Sequence, residues 1–215
     1  MLLIPFLAMA VAASALLAVA GEYGGKRRLV YAAKPLTTAL ILAMAALAPG
    51  AVSPLYRWAV VLGLALSLAG DVFLLLPRDR FVAGLASFFA AHLCYVAAFG
   101  SQLAGVPPAW TVLPFALYAA LLLRILWPHL PPGLRVPVTA YAAVLSAMAW
   151  AALGQWLRHG DARSALAFAG AALFVASDSL LAADRFARPF PAARALVLGT
   201  YWAAQLLIAA SVARG

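Results

Sequence analysis

Residues 56–76 read YRWAVVLGLALSLAGDVFLLL, a run in which Arg57 stands near the start and one acid, Asp71, interrupts an otherwise almost wholly apolar stretch. Crossing the hydrocarbon core of a bilayer takes a helix of about 20 mostly apolar residues. The segment therefore predicts a transmembrane helix. Asp71 inside it predicts more, because an ionisable group at that depth is costly and is placed there for a reason.

Outward from this segment the same pattern repeats. Further apolar runs lie near 2–20, 29–48, 81–100, 109–127, 136–156, 163–183 and 192–212. Turn chemistry separates them: Gly21 with Gly24-Gly25, Pro49-Gly50 with Pro54, Pro77, Pro107-Pro108, Pro128 with Pro131-Pro132-Gly133, Gly160, and Pro189 with Pro191. The expectation is an all-α polytopic membrane protein, a bundle of eight transmembrane helices forming a single transmembrane domain over residues 1–215. Composition points the same way. Hydrophobic residues make up 67% of the chain and charged residues 10%, where a soluble domain carries roughly a quarter charged residues. The first run ends on Ala18-Val19-Ala20, as a signal peptide would. No Lys or Arg precedes it, however, and the cluster Lys26, Arg27, Arg28 follows it, so it reads as a retained first helix.

The formal net charge of +9 would suggest nucleic acid in a soluble protein. Here the basic residues are scattered through short loops, with no basic face alternating with stacking aromatics, so no nucleic-acid partner is expected. One set of alternate loops holds ten basic residues: Lys26, Arg27, Arg28, Arg78, Arg80, Arg124, Arg135, Arg185, Arg188 and Arg194. The other holds four, Arg57, Arg158, Arg163 and Arg214. The richer side is expected to face the cytoplasm, which puts both termini on the extracytoplasmic side of the inner membrane. Trp58, Trp110, Trp127, Trp150 and Trp156 fall near predicted helix ends, where an interfacial belt belongs. Cys94 is the only cysteine and allows no intramolecular disulfide.

Lys34, Asp71, His92 and Asp178 each interrupt a predicted span. Such a group costs about 2.5–3.5 kcal/mol at the bilayer centre and normally faces the bundle interior. Snorkelling and a structural bond between helices are the bland readings of each. Together they say more. Lys34 lies five residues past the cytoplasmic start of the second span, and Tyr141 five past that of the sixth. Asp71 and Asp178 lie five before the cytoplasmic ends of the third and seventh. At the rise of an α-helix all four reach a layer about 7–8 Å below the interface. Thr37 and Thr38 follow Lys34 at i+3 and i+4, Ser67 is one turn from Asp71, and Ser177 adjoins Asp178. His92 and Tyr95, at i and i+3, lie deeper, about 16 Å in, as does the i, i+4 pair Tyr201 and Gln205. Taken singly, His92 and Gln205 read as interhelical glue. Asp79, Asp161 and Asp184 sit in loops beside arginines and read as solvated ion pairs.

A short internal echo links two spans. Gly70-Asp71-Val72-Phe73-Leu74-Leu75 resembles Ser177-Asp178-Ser179-Leu180-Leu181-Ala182, and each is followed by Asp-Arg-Phe. Both spans run in the same direction, as a 4+4 parallel duplication would have them. No phosphate-cradling Gly-Lys-Ser/Thr loop, His-Glu-x-x-His or Gly-x-Ser-x-Gly is present. His92, His129 and His159 lie on different helices or loops and cannot share one metal, although the residues leave a mixed Asp/His site open.

Lys34-Pro35-Leu36-Thr37-Thr38, Gly70-Asp71, Phe81…Gly84…Phe88…His92…Tyr95, Ser177-Asp178…Leu181-Ala182 and Tyr201…Gln205 resemble the YhhN family, bacterial membrane proteins related to the animal lysoplasmalogenases. The resemblance runs through nearly the whole chain. It implies an eight-helix fold, no required metal or cofactor, and hydrolysis of the vinyl ether bond of a lysoplasmalogen-type lysophospholipid to a fatty aldehyde and a glycerophospho-alcohol. It also implies that Lys34, Asp71, His92 and Asp178 are functional positions.

The residues suit that chemistry. A vinyl ether hydrolyses by protonation of its β-carbon, capture of the oxocarbenium ion by water, and collapse of the hemiacetal. An acid that keeps its proton near neutral pH and a second carboxylate that stabilises the cation or activates water would divide this work, as in glycosidases. Asp71 and Asp178 are the candidate pair, in either order. Lys34 is expected to hold one carboxylate charged or to bind phosphate. Thr37, His92, Tyr95, Tyr141, Ser177, Tyr201 and Gln205 are expected to orient substrate or tune the acids. The competing reading is a transporter or lipid-binding protein that uses the Lys–Asp site as a relay. Nothing in the sequence sets the oligomeric state.

Overall fold

The computed structural model describes residues 3–213. Leu2, where the first predicted span begins, and Arg214, counted among the loop cations, lie outside the described residues. Eight helices are long and apolar enough to span a membrane, so the protein is an integral, multi-pass membrane protein. Among the described residues they are built on α1 (Leu3–Tyr23), α2 (Arg27–Ala46), α3 (Pro54–Leu75), α4 (Phe81–Gly100), α5 (Leu113–Leu126, which spans only together with its flanking turns, Ala109–His129), α6 (Pro132–His159), α7 (Ala162–Ala182) and α8 (Ala193–Ala210). In lipid only a helix can satisfy its own backbone, which is why the chain has no alternative within these segments. The one β-type pairing among the described residues is the bridge Ala51–Ala213.

Helix ends follow local chemistry. Ser53 caps α3 by accepting from the Tyr56 amide at 3.1 Å, and Asp161 caps α7 by accepting from the Ser164 amide at 2.8 Å. Gly160 stops α6 in the left-handed conformation at φ 62°. Several segments depart from the expected bounds. Gly21 does not break α1, which runs on to Tyr23 and turns only at Gly24-Gly25, with Gly25 at φ 65°. Pro137 is absorbed inside α6, which begins at Pro132 because proline suits a first turn that needs no amide bond. α5 is short and is extended by 3₁₀ turns at Ala109–Val112 and Trp127–His129. Beyond α7 a π-helical turn covers Ala183–Ala187.

Of the three loop acids, Asp79 pairs with Arg185 at 2.8 Å and Asp161 with Arg163 at 3.6 Å. The hydrogen bond from Arg185 holds the Asp79 carboxyl below the usual carboxylate range. Asp184 departs from the expected pattern: it lies in the π-helical turn, and its Oδ1 accepts from the Phe190 amide at 3.2 Å, closing the turn before α8.

α3 packs along α4, α7 along α8 and α1 along α2, while α5 touches mainly α6 and the π-helical turn at the bundle's edge. Without water to squeeze them together, membrane helices gain from close approach at small residues. A Cβ on Gly63 would come within 2.4 Å of the Tyr95 ring, and one on Gly70 within 2.6 Å of the Phe88 ring. Gly170 passes so near α8 that a Cβ would lie 2.9 Å from the Ala204 carbonyl oxygen. These contacts bring α3 against α4 and α7 against α8.

Candidate functional site

Asp71 is 1% exposed and surrounded by donors. Its Oδ2 accepts from the Thr38 hydroxyl at 2.7 Å and the Tyr201 hydroxyl at 2.8 Å. Its Oδ1 lies 3.5 Å from the Lys34 ammonium. Three helices thus supply one carboxylate cluster: α2 gives Lys34 and Thr38, α3 the acid itself, and α8 Tyr201. Trp202 extends it with a 3.4 Å bond from its indole to Thr38, while α4 covers it with Phe88, whose ring centroid is 5.9 Å from that of Tyr201.

Asp178 is served differently. The Tyr141 hydroxyl donates to its Oδ2 at 2.5 Å, and the His92 Nε2 stands 3.8 Å from the same oxygen, outside direct hydrogen-bond reach. Its Oδ1 takes no hydrogen bond from any described residue. His92 is fully buried, and neither ring nitrogen has a hydrogen-bond partner. The imidazole is boxed edge-on by Phe174 at 4.6 Å and Tyr141 at 5.2 Å between centroids. Helical rise alone puts His92 well below Asp178, yet the two meet. Side chains lean toward the N-terminus of their helix, and α4 and α7 run in opposite directions, so the two lean toward each other.

The acids share a layer without sharing a pocket. No hydrogen bond or ion pair joins them among the described residues. The rings of Phe88, Phe174 and Tyr201 pack on one another beside these groups, with centroids 5.5 Å apart for Phe174–Tyr201 and 6.4 Å for Phe88–Phe174, and Phe174 also meets the His92 ring at 4.6 Å. The two carboxyls expected to meet are each held by their own donors, Asp71 by Thr38, Tyr201 and Lys34 and Asp178 by Tyr141.

The remaining predicted residues divide. Tyr95 donates to the Gln205 side-chain carbonyl at 2.7 Å and lies 3.5 Å from Ser67, forming a buried bridge from α4 to α8 and α3. Ser177 bonds the Val197 carbonyl at 3.0 Å and fastens α7 to α8. Thr37 does not join Asp71: its hydroxyl engages Ser14 on α1 at 2.9 Å and the Ala33 carbonyl at 2.8 Å, because one residue turns it about 100° from Thr38. Phe174 and Tyr118 were not singled out from sequence. Tyr118 bonds Ser179 at 2.5 Å. Phe174 carries no charge to flag it, although it stands one turn from Asp178.

Two cavities meet at this layer. A wide, open one of about 700 Å³ is lined by Glu22, Arg27, Tyr31, Lys34, Arg185 and Arg194, among others. A narrow one of about 60 Å³ is apolar, with Leu85, Leu122, Leu126 and Leu145 in its walls and Tyr141 and Asp178 as its polar members. Leu74, Phe81 and Leu181 border both and form the threshold. The arrangement is an amphiphile's negative: a charged vestibule opening onto a greasy slot with one carboxyl in its wall. No group of three or more His, Cys, Asp or Glu among the described residues is placed to hold a metal ion.

Comparison with known proteins fits these observations to a lineage. The lysoplasmalogenase TMEM86B of Homo sapiens is 42% identical over 149 residues, covering 69% of this chain and 60% of the human protein. TMEM86B of Rattus norvegicus is 38% identical over 177 residues, 81% of this chain and 69% of its own length. The membrane protein YhhN of Escherichia coli O157:H7 is 34% identical over 205 residues, 95% of this chain and 97% of its own. The chain thus spans about 60% of the length of the pig and human lysoplasmalogenases it matches. No solved structure matches it. The profile of the YhhN family matches residues 29–212, which takes in every helix that feeds the two carboxylate clusters, and the chain belongs to the YhhN family.

Proposed function

We propose that this protein is a hydrolase of the inner (cytoplasmic) membrane that cleaves the vinyl ether bond of lysoplasmalogen-type lysophospholipids, with both termini on the extracytoplasmic side. The name lysoplasmalogenase carried by the human, pig and rat relatives supports the reaction. The observation that carries the reading is the position of Asp178: an aspartyl oxygen without a hydrogen-bond partner, at the wall of an apolar cavity that opens onto a charged vestibule.

In this reading Asp178 is the acid. Its carboxyl proton goes to the β-carbon of the vinyl ether, leaving an oxocarbenium ion beside the new carboxylate, whose charge steadies it. Water adds to the cationic carbon and gives its proton back to Asp178. The hemiacetal then breaks its carbon–oxygen bond to release a fatty aldehyde and a glycerophospho-alcohol. One water is consumed and the carboxyl is restored. Tyr141 fixes the orientation of the carboxyl, and His92, 3.8 Å from the same oxygen, backs it from outside the cavity. Asp71 has no cavity-facing oxygen and is saturated by three donors, so it acts as a positioning residue that holds Lys34 and Tyr201 in place. This replaces the even division between two acids that sequence alone suggests.

The deciding experiment incubates the purified protein with vinyl-ether, acyl and alkyl lysophospholipids and follows products by mass spectrometry. Aldehyde is expected from the vinyl ether alone, in detergent as well as in bilayers. A transporter would instead accumulate intact solute in proteoliposomes, and that result without any bond cleavage would sink the hydrolase.

A further inference from the structure

The chemistry above leaves the wide vestibule unused, and its charges are arranged unevenly. Four cations line it, Arg27 and Lys34 from α2, Arg185 from the π-helical turn and Arg194 from α8, against two acids, Glu22 and Asp184, the second of which is bonded to the Phe190 amide. Three have carboxylate partners. Lys34 is with Asp71, Arg185 is 2.8 Å from Asp79, and Arg194 is 2.9 Å from Glu22. Among the described residues Arg27 makes no ion pair and its side chain no hydrogen bond. It stands on the same face of α2 as Tyr31 and Lys34, at i, i+4 and i+7, and all three border the cavity. Arg185 also lies 4.0 Å over the ring of Phe81, one of the threshold residues. The vestibule thus has an unspent guanidinium at its outer end and the threshold to the apolar slot at its inner end.

Resting on the hydrolase reading, we infer that the vestibule is the phosphate seat of the substrate and that Arg27 is its anchor. A planar guanidinium matches two phosphate oxygens at once, and such charge-assisted pairs are the strong ones. Arg194, fixed by Glu22, presents a second guanidinium on the same cavity. α2 begins at Arg27 with no side-chain cap, so the positive end of its dipole adds to the same field. Lys34 is thereby released from the phosphate role: its ammonium belongs to Asp71. A head group held at Arg27 leaves the chain to enter over Leu74, Phe81 and Leu181, with the ether bond between anchor and slot.

The test compares two substrates: an alkenyl lysophospholipid and the corresponding 1-alkenylglycerol, which has the vinyl ether and no phosphate. In Arg27→Gln the ratio of kcat/KM for the phosphorylated over the phosphate-free substrate is expected to fall about tenfold, through KM, with Arg27→Lys in between. Arg28→Gln removes the same charge one residue away, from a side chain that does not border the cavity, and leaves the ratio unchanged. An equal fall in Arg27→Gln and Arg28→Gln would reduce the vestibule to a general surface field, and no fall in either would remove the anchor. Binding is read separately, by the shift in melting temperature with glycerophosphoethanolamine or with inorganic phosphate. A shift with glycerophosphoethanolamine in the wild type that is lost in Arg27→Gln supports the seat even if neither substrate is cleaved, a result that would overturn only the hydrolase reading. A shift with inorganic phosphate alone would make the site one for free phosphate. No shift with either overturns the seat.

Discussion

The surroundings of Asp71 and of Asp178 are built to one plan and finished differently. Asp71 on α3 receives Lys34 from α2 and Tyr201 from α8. Asp178 on α7 receives Tyr141 from α6 and His92 from α4. A shift of four helices carries each supplier onto its counterpart: α2 onto α6, α3 onto α7 and α8 onto α4. The short sequence echo around the two acids has the same offset, as a parallel repeat requires. What differs is saturation. Asp71 is closed off by a cation and two hydroxyls, whereas Asp178 has one firm donor, a histidine just out of reach and an open oxygen. The two acids thus sit in similar arrangements of helices, one closed off by its donors and the other with an oxygen left open.

That contrast can be broken. Asp178→Asn removes the transferable proton and keeps the shape, so aldehyde release is expected to fall by about 10²–10⁴-fold, with an unchanged melting temperature in detergent. Asp71→Asn is expected to show the reverse balance. It strands Lys34, and the loss of one partner of a buried pair costs about 3–5 kcal/mol, so melting drops sharply while turnover falls less than in Asp178→Asn. Adding Lys34→Met should recover much of that stability. Equal loss of turnover in both aspartate variants with undisturbed melting would erase the distinction and restore two equivalent acids. The smallest effect separates neighbours on α2. Thr38→Val should impair both turnover and stability, whereas Thr37→Val should cost only about 0.5–1.5 kcal/mol of stability, the worth of an ordinary buried hydrogen bond.

The eight spans were legible because a bilayer imposes a length and a hydropathy that a single sequence displays plainly. Lys34, Asp71, Tyr141 and Asp178 were placed in one layer because helical rise converts residue counts into depth. Depth is only one coordinate. Position around the bundle depends on how each helix is rotated, which is why Thr37 and Thr38 were indistinguishable and why the packing of Phe174 against Tyr201 and His92 was invisible. His92 was set too deep because counts locate backbone, and a leaning imidazole covers the difference. Phe174 bears no charge or hydrogen-bonding group, so nothing in the sequence marks it as a contact of both Tyr201 and His92.

Gly170 has a consequence for Asp71 although it lies on another helix. It lets α7 slide against the Ala204 carbonyl, and Ala204 comes three residues after Tyr201, within one turn. The gauge between those two helix axes therefore determines whether a phenol on one reaches an acid across the bundle. A single hydrogen where every other amino acid would carry a carbon works as a shim, and the alignment of a distant carboxylate is machined to its thickness.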